Sequence, residues 1–82
     1  MVTAAQIRAA RALLGWSGAE LAKEAGVSLQ TIRRMESDMG PGRSSAANVD
    51  AVQRALETAG VMFLDADGAG AGGPGVRLKP SS

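Results

Sequence analysis

Trp16-Ser17-Gly18-Ala19-Glu20-Leu21-Ala22-Lys23-Glu24-Ala25-Gly26-Val27-Ser28-Leu29-Gln30-Thr31-Ile32-Arg33-Arg34-Met35-Glu36 is the stretch that decides the fold. It reads as a helix, a tight turn and a second helix. Ser17 is a helix N-cap, and Glu20 three residues later completes a capping box. Trp16 before the cap and Leu21 after it form a hydrophobic staple. Leu21, Ala22 and Ala25 give the first of these helices its inner face, and Ala22 is small where the two helices cross. Gly26 follows, in a turn too short to tolerate a Cβ at positive φ. Val27, Ser28 and Ile32 then repeat the staple–cap–staple grammar. Val27, Ile32 and Met35 plug the inner angle between the helices. Leu29, Gln30, Arg33, Arg34 and Ser37 fall toward the other side. A turn of this kind sets its helices at about 90–120°, so the second helix protrudes. A protruding helix with Gln and Arg outward has the shape and the donors to enter a DNA major groove.

Working outward, the same signals recur on both sides. Upstream, Thr3 caps a helix, Gln6 completes its capping box, and Val2 with Ile7 makes the staple. Ile7, Ala10 and Leu14 share one face, and Gly15 ends the helix. Downstream, Met39-Gly40-Pro41-Gly42 reads as a stretch that forbids helix, within a loop of about ten residues. A fourth helix is expected from near Ser45 or Asn48. Val49, Val52, Leu56 and Ala59 form its apolar stripe, and Gly60 ends it. Val61 to Leu64 reads as a strand, because a helix has just closed. Val76 to Lys79 alternates apolar and basic and suits a second strand. The two strands pair as a long-looped hairpin or across a dimer, and an isolated hairpin must pack on something to persist. Residues 66–75 are Gly-rich and read as a flexible linker.

This pattern resembles the lambda-repressor-like, XRE-type helix-turn-helix family. The resemblance rests on Leu21-Ala22, Ala25-Gly26-Val27-Ser28, Thr31-Ile32, Arg34 and Glu36, and covers about residues 3–60. It implies a mainly α fold: a four-helix domain over residues 1–60, with residues 61–82 as a C-terminal strand or hairpin extension. It also implies sequence-specific binding of double-stranded DNA by a transcriptional regulator, with residues 29–37 in the major groove. The family commonly joins an Arg of the first helix to the Glu ending the third, positions held here by Arg11 and Glu36. Arg11 presents a planar fork suited to a carboxylate. Two positions depart from the family. Gly18 stands where a Gln often helps to fix the phosphate backbone. Asp38 stands where a Gly often follows the recognition helix, and the glycine arrives at Gly40.

The DNA-contact set is then Ser28, Leu29, Gln30, Thr31, Arg33, Arg34 and Arg43. Gln30 suits adenine, and Arg33 suits guanine or a phosphate. Arg34 suits a phosphate or an acidic partner. Ser28 is first a cap. Leu29 either touches a thymine methyl or packs, and Thr31 either reaches a phosphate or is buried. Arg43 has a weaker claim on the backbone.

Composition closes off other classes. The 82 residues contain no His and no Cys. That removes the commonest general base, thiol chemistry, disulfides and most metal sites, so no enzyme, cofactor or metal is expected. Sixteen of the 37 hydrophobic residues are Ala, and aromatics are one Trp and one Phe. Such a chain suits close-packed Ala-rich helices around a thin core. Asp65 and Asp67 flank a turn with no further acids near them, too few for a metal site. The Gly-rich stretch lacks the Gly-Lys-Ser/Thr of a phosphate loop. No apolar run is long enough to span a membrane, and the first residues do not resemble a secretory signal, so the cytoplasm is the expected compartment. The net charge of +1 neither demands nor excludes a nucleic acid. One domain this small reads about half a site, so a homodimer is expected, joined through the segment from Val61 onward. The rival reading is an antitoxin-like protein-interaction module on the same fold, which would use that segment to hold a protein partner.

Overall fold

A computed structural model describes residues 2–65 and 73–80, the side chain of Arg43 apart. The linker expected over residues 66–75 is described only from Gly73 on; the rest of it, Asp67 included, lies outside the described residues. The elements run α1 (Ala4–Leu14), α2 (Gly18–Ala25), α3 (Leu29–Met35), a single 3-10 turn (Pro41–Arg43), α4 (Ala46–Thr58), β1 (Val61–Leu64) and β2 (Gly75–Leu78). Among the described residues the fold is mainly helical, with four α-helices and a two-stranded antiparallel hairpin.

Each helix begins where its side chains can satisfy the free amides. Gln6 N donates to Thr3 Oγ1 at 3.1 Å, and Thr3 N donates back to Gln6 Oε1 at 2.8 Å. Ser17 and Glu20 repeat this box at 3.1 and 2.9 Å. The hydroxyls of Ser28 and Ser45 accept from the amides of Thr31 and Asn48. These bonds occupy donors that no helical carbonyl can reach. The fourth helix therefore takes the earlier of its two candidate caps, Ser45. Gly26 closes α2 at φ 73°, and Val27 N donates to Ala22 O at 3.0 Å, which aims the chain directly at the next cap.

The segment read as forbidding helix needs correction. Pro41 opens a 3-10 turn, and Ser44 N donates to Pro41 O at 2.9 Å. Proline supplies no amide, and the first position of such a turn requires none. Gly40 precedes it at φ 68°, and Asp38 keeps a negative φ. The left-handed step after α3 thus comes at Gly40, where glycine meets no steric cost.

The core is one cluster. Ile7, Ala10, Leu21, Ile32, Met35, Val52, Leu56 and Val61 are almost fully buried, with Val2, Ala22 and Val49 close behind. Leu14, Trp16 and Val27 pack on its margin, so all three staples converge on the same interior.

The two strands pair within the chain, with Val61 opposite Leu78 and Leu64 opposite Gly75. They also complete the core, because Phe63 and Val76 pack against it beside buried Val61. The hairpin is pinned by a polar group as well. Gln6 is buried, and its Nε2 donates to Leu64 O at 3.1 Å and to Gly75 O at 3.0 Å. Its Oε1 already accepts from Thr3 N, so the whole amide is satisfied. One side chain caps α1 and clamps the mouth of the hairpin.

Replacing Gln6 by Ala is expected to cost about 1–3 kcal/mol, because two strand carbonyls and the Thr3 amide lose their partner. Urea unfolding checks this as a lower midpoint at unchanged slope. An unchanged midpoint would mean that apolar contacts alone hold the hairpin.

Candidate nucleic-acid interface

The third helix has two faces of opposite character. Ile32 and Met35 are buried, whereas Gln30, Arg33 and Arg34 are exposed. At helical spacing these three side chains neighbour one another along the outer surface. No salt bridge engages Arg33 or Arg34 among the described residues. Both guanidiniums are therefore available to an outside acceptor. Ser28 is exposed and Thr31 half-buried, and their hydroxyls share a hydrogen bond of 2.8 Å. Ser28 thus serves its cap and its neighbour at once. The side chain of Arg43 lies outside the described residues.

Leu29 is not turned outward with the polar set. It is half-buried and packs against the core. Its Cδ1 would stand 3.2 Å from a Cβ placed on Gly18. The missing Cβ leaves a slot at the start of α2, and an apolar side chain fills it rather than face water. Of the two roles considered for Leu29, this placement favours packing.

The helix is held at its far end by Glu36. Arg11 Nε donates to Glu36 Oε2 and Arg11 Nη2 to Oε1, both at 2.9 Å. Arg11 Nη1 donates to Trp16 O at 3.1 Å. The Glu36 side chain is only 12 % exposed. The hydrogen bonds to Glu36 raise the Arg11 pKa above its ordinary value, so the fork stays charged. Arg8, one turn earlier on α1, donates to the Glu36 carbonyl oxygen. Sequence reading placed the Arg11–Glu36 pair through family resemblance but missed Arg8. The signal was present, since Arg8 and Arg11 are three residues apart on one helix face. Ser37 completes the exit, its hydroxyl donating to Arg34 O at 2.6 Å and accepting from Met39 N at 3.2 Å.

A shallow groove of about 540 Å³ lies between the start of α1 and the loop after α3, lined among others by Thr3, Arg8, Met39 and Pro41. No residue of 28–35 lines it. This groove was hidden from sequence reading, because its walls come from two segments distant in the chain.

A short bihelical corner, a Gly turn and a second helix with its polar side outward define a helix-turn-helix protein. The sequence model of the Helix-turn-helix family matches residues 7–59, more than half of the chain. This protein belongs to that family, in its lambda-repressor-like, XRE-type form, and the family binds DNA and is not enzymatic. Among proteins of curated function, none matches the sequence. No helix of the described residues is long and apolar enough to cross a membrane.

Replacing Glu36 by Ala is expected to destabilise the protein by about 2 kcal/mol, since a partly buried guanidinium loses its partner. A double-mutant cycle with Arg11→Met isolates the coupling. Purely additive losses would show that the two side chains act independently.

Proposed function

We propose that this protein is a transcriptional regulator that reads a specific site on double-stranded DNA by placing α3 in the major groove. The observation that carries this reading is the exposed row Gln30, Arg33 and Arg34 on a helix whose other face is locked into the core. Gln30 presents an amide suited to the N6 and N7 of adenine. Arg33 presents a fork suited to O6 and N7 of guanine. Arg34 serves a phosphate, and Ser28 and Thr31 supply hydroxyls beside it. Regulators of this kind work in the cytoplasm.

A single seven-residue helix contacts few base pairs. The proposed working form is a homodimer that spans half-sites about one helical turn apart. Two leucines of the hairpin, Leu64 and Leu78, remain exposed after the core is complete, and they supply the apolar surface such a contact needs. The same leucines support a second reading, in which the hairpin holds a protein partner in the manner of an antitoxin.

Selection from a pool of randomised duplexes tests the reading. Enrichment of one sequence, with inverted half-sites for a dimer, is expected. No retention at about 50 mM salt, where electrostatic attraction is strong, would overturn DNA reading and favour the interaction module. Arg33→Ala is expected to cost about 1–3 kcal/mol in affinity and to relax the preference at one base position. Arg34→Ala is expected to weaken all sequences alike and to lower the salt slope by about one. Sedimentation checks the dimer, and a monomer at high concentration with unchanged DNA affinity would remove it.

A further inference from the structure

The first turns of α2 and α3 pack together with little room to spare at Gly18. Gly18 is the first residue of α2 and Leu29 the first of α3. A Cβ on Gly18 would meet Leu29 Cδ1 at 3.2 Å and Ile32 Cγ2 at 3.9 Å. The first distance is shorter than an ordinary carbon–carbon contact, and the second is ordinary. Gly18 has no positive φ, so backbone conformation does not demand glycine there. A helical glycine with no conformational need costs stability relative to alanine. What its bareness provides is room for Leu29.

We propose that Gly18 is a positioning residue for DNA reading: the absent Cβ lets Leu29 seat against α2, and this seat sets how far the first turn of α3, and Gln30 with it, stands out toward the bases. The inference rests on the DNA-reading function above and names the residue pair that tunes it. The two neighbours of Gly18 differ in freedom. Ile32 is buried within the core and cannot yield. Leu29 is half-buried at its margin, and the end of its side chain can move. An added methyl at position 18 therefore presses on the end of the Leu29 side chain at the margin of the core, and not on Ile32. Gln30 follows Leu29 directly and is exposed, so the part of the shift that the Leu29 side chain does not absorb falls on it. Arg33 and Arg34 sit a turn later, nearer the anchor at Glu36, and are moved less.

The test compares wild type, Gly18→Ala, Leu29→Val and the double variant, with the full chain and the same pool of randomised duplexes. Leu29→Val shortens the side chain and removes the Cδ1 that the new methyl would strike. Gly18→Ala is expected to fold with a midpoint equal to or above wild type. It is expected to bind the wild-type duplex at least about fivefold more weakly, the effect of one poorly matched base pair, and to select a different base at the position read by Gln30. The double variant is expected to recover the wild-type preference. Methyl NMR of the free protein is expected to show Leu29 shifted by Gly18→Ala and Ile32 nearly unmoved. Unchanged base preference and affinity in Gly18→Ala, with wild type binding DNA, would overturn the positioning role alone. An Ile32 shift as large as that of Leu29, with loss of stability, would make Gly18 a core-packing residue instead. Failure of wild type to select any duplex would remove the function on which the inference rests.

Discussion

The carboxylate of Glu36 is the point at which two separate parts of the chain become one rigid body. A helix of seven residues cannot persist by itself, because nucleation costs more than two turns return. The third helix survives because both of its ends are fixed. At its start, the Gly26 turn and the Ser28 cap dictate where the backbone enters. At its end, Arg11 grips both carboxylate oxygens of Glu36, and Arg8 takes the main-chain carbonyl. The first helix thus acts as a splint laid across the exit of the third. The outward face of the third helix is a by-product of this anchoring: Ile32 and Met35 go inward, so the residues between them have no other place to be.

The arginines are divided between two tasks. Arg8 and Arg11 are committed to internal acceptors, and Arg54 pairs with Asp50 along α4. Arg33 and Arg34 face outward from α3, and Arg77 is likewise exposed on β2. With a net charge of only +1, the general pull of the molecule on a polyanion is modest. In the proposed complex, discrimination therefore leans on geometry at a few side chains rather than on bulk attraction.

Local signals were legible in the sequence. The caps at Thr3, Ser17 and Ser28 and the staples across them depend on residues within five positions of each other, and sequence displays those directly; at the fourth helix it left Ser45 and Asn48 as alternatives. The hairpin was legible as two strands, though not how it would be partnered. Features built from distant segments were hidden. Gln6 read as half of a capping box, and nothing nearby revealed that its amide also meets Leu64 and Gly75. Leu29 read as outward from helical spacing alone, because the slot it fills belongs to Gly18 on another helix. Pro41 read as a breaker, although a proline at the head of a 3-10 turn continues the chain without conflict.

The bond from Gln6 to Gly75 joins positions 69 apart. Such a contact waits on chain far apart in sequence, whereas the helical corners need only neighbours. Low sequence separation favours an order of assembly in which the helices form before the hairpin docks on the Gln6 amide. Until they dock, Val61 and Phe63 have no cover, and the interior stays open to water on that side. On that order the two short strands are the closing step of the fold.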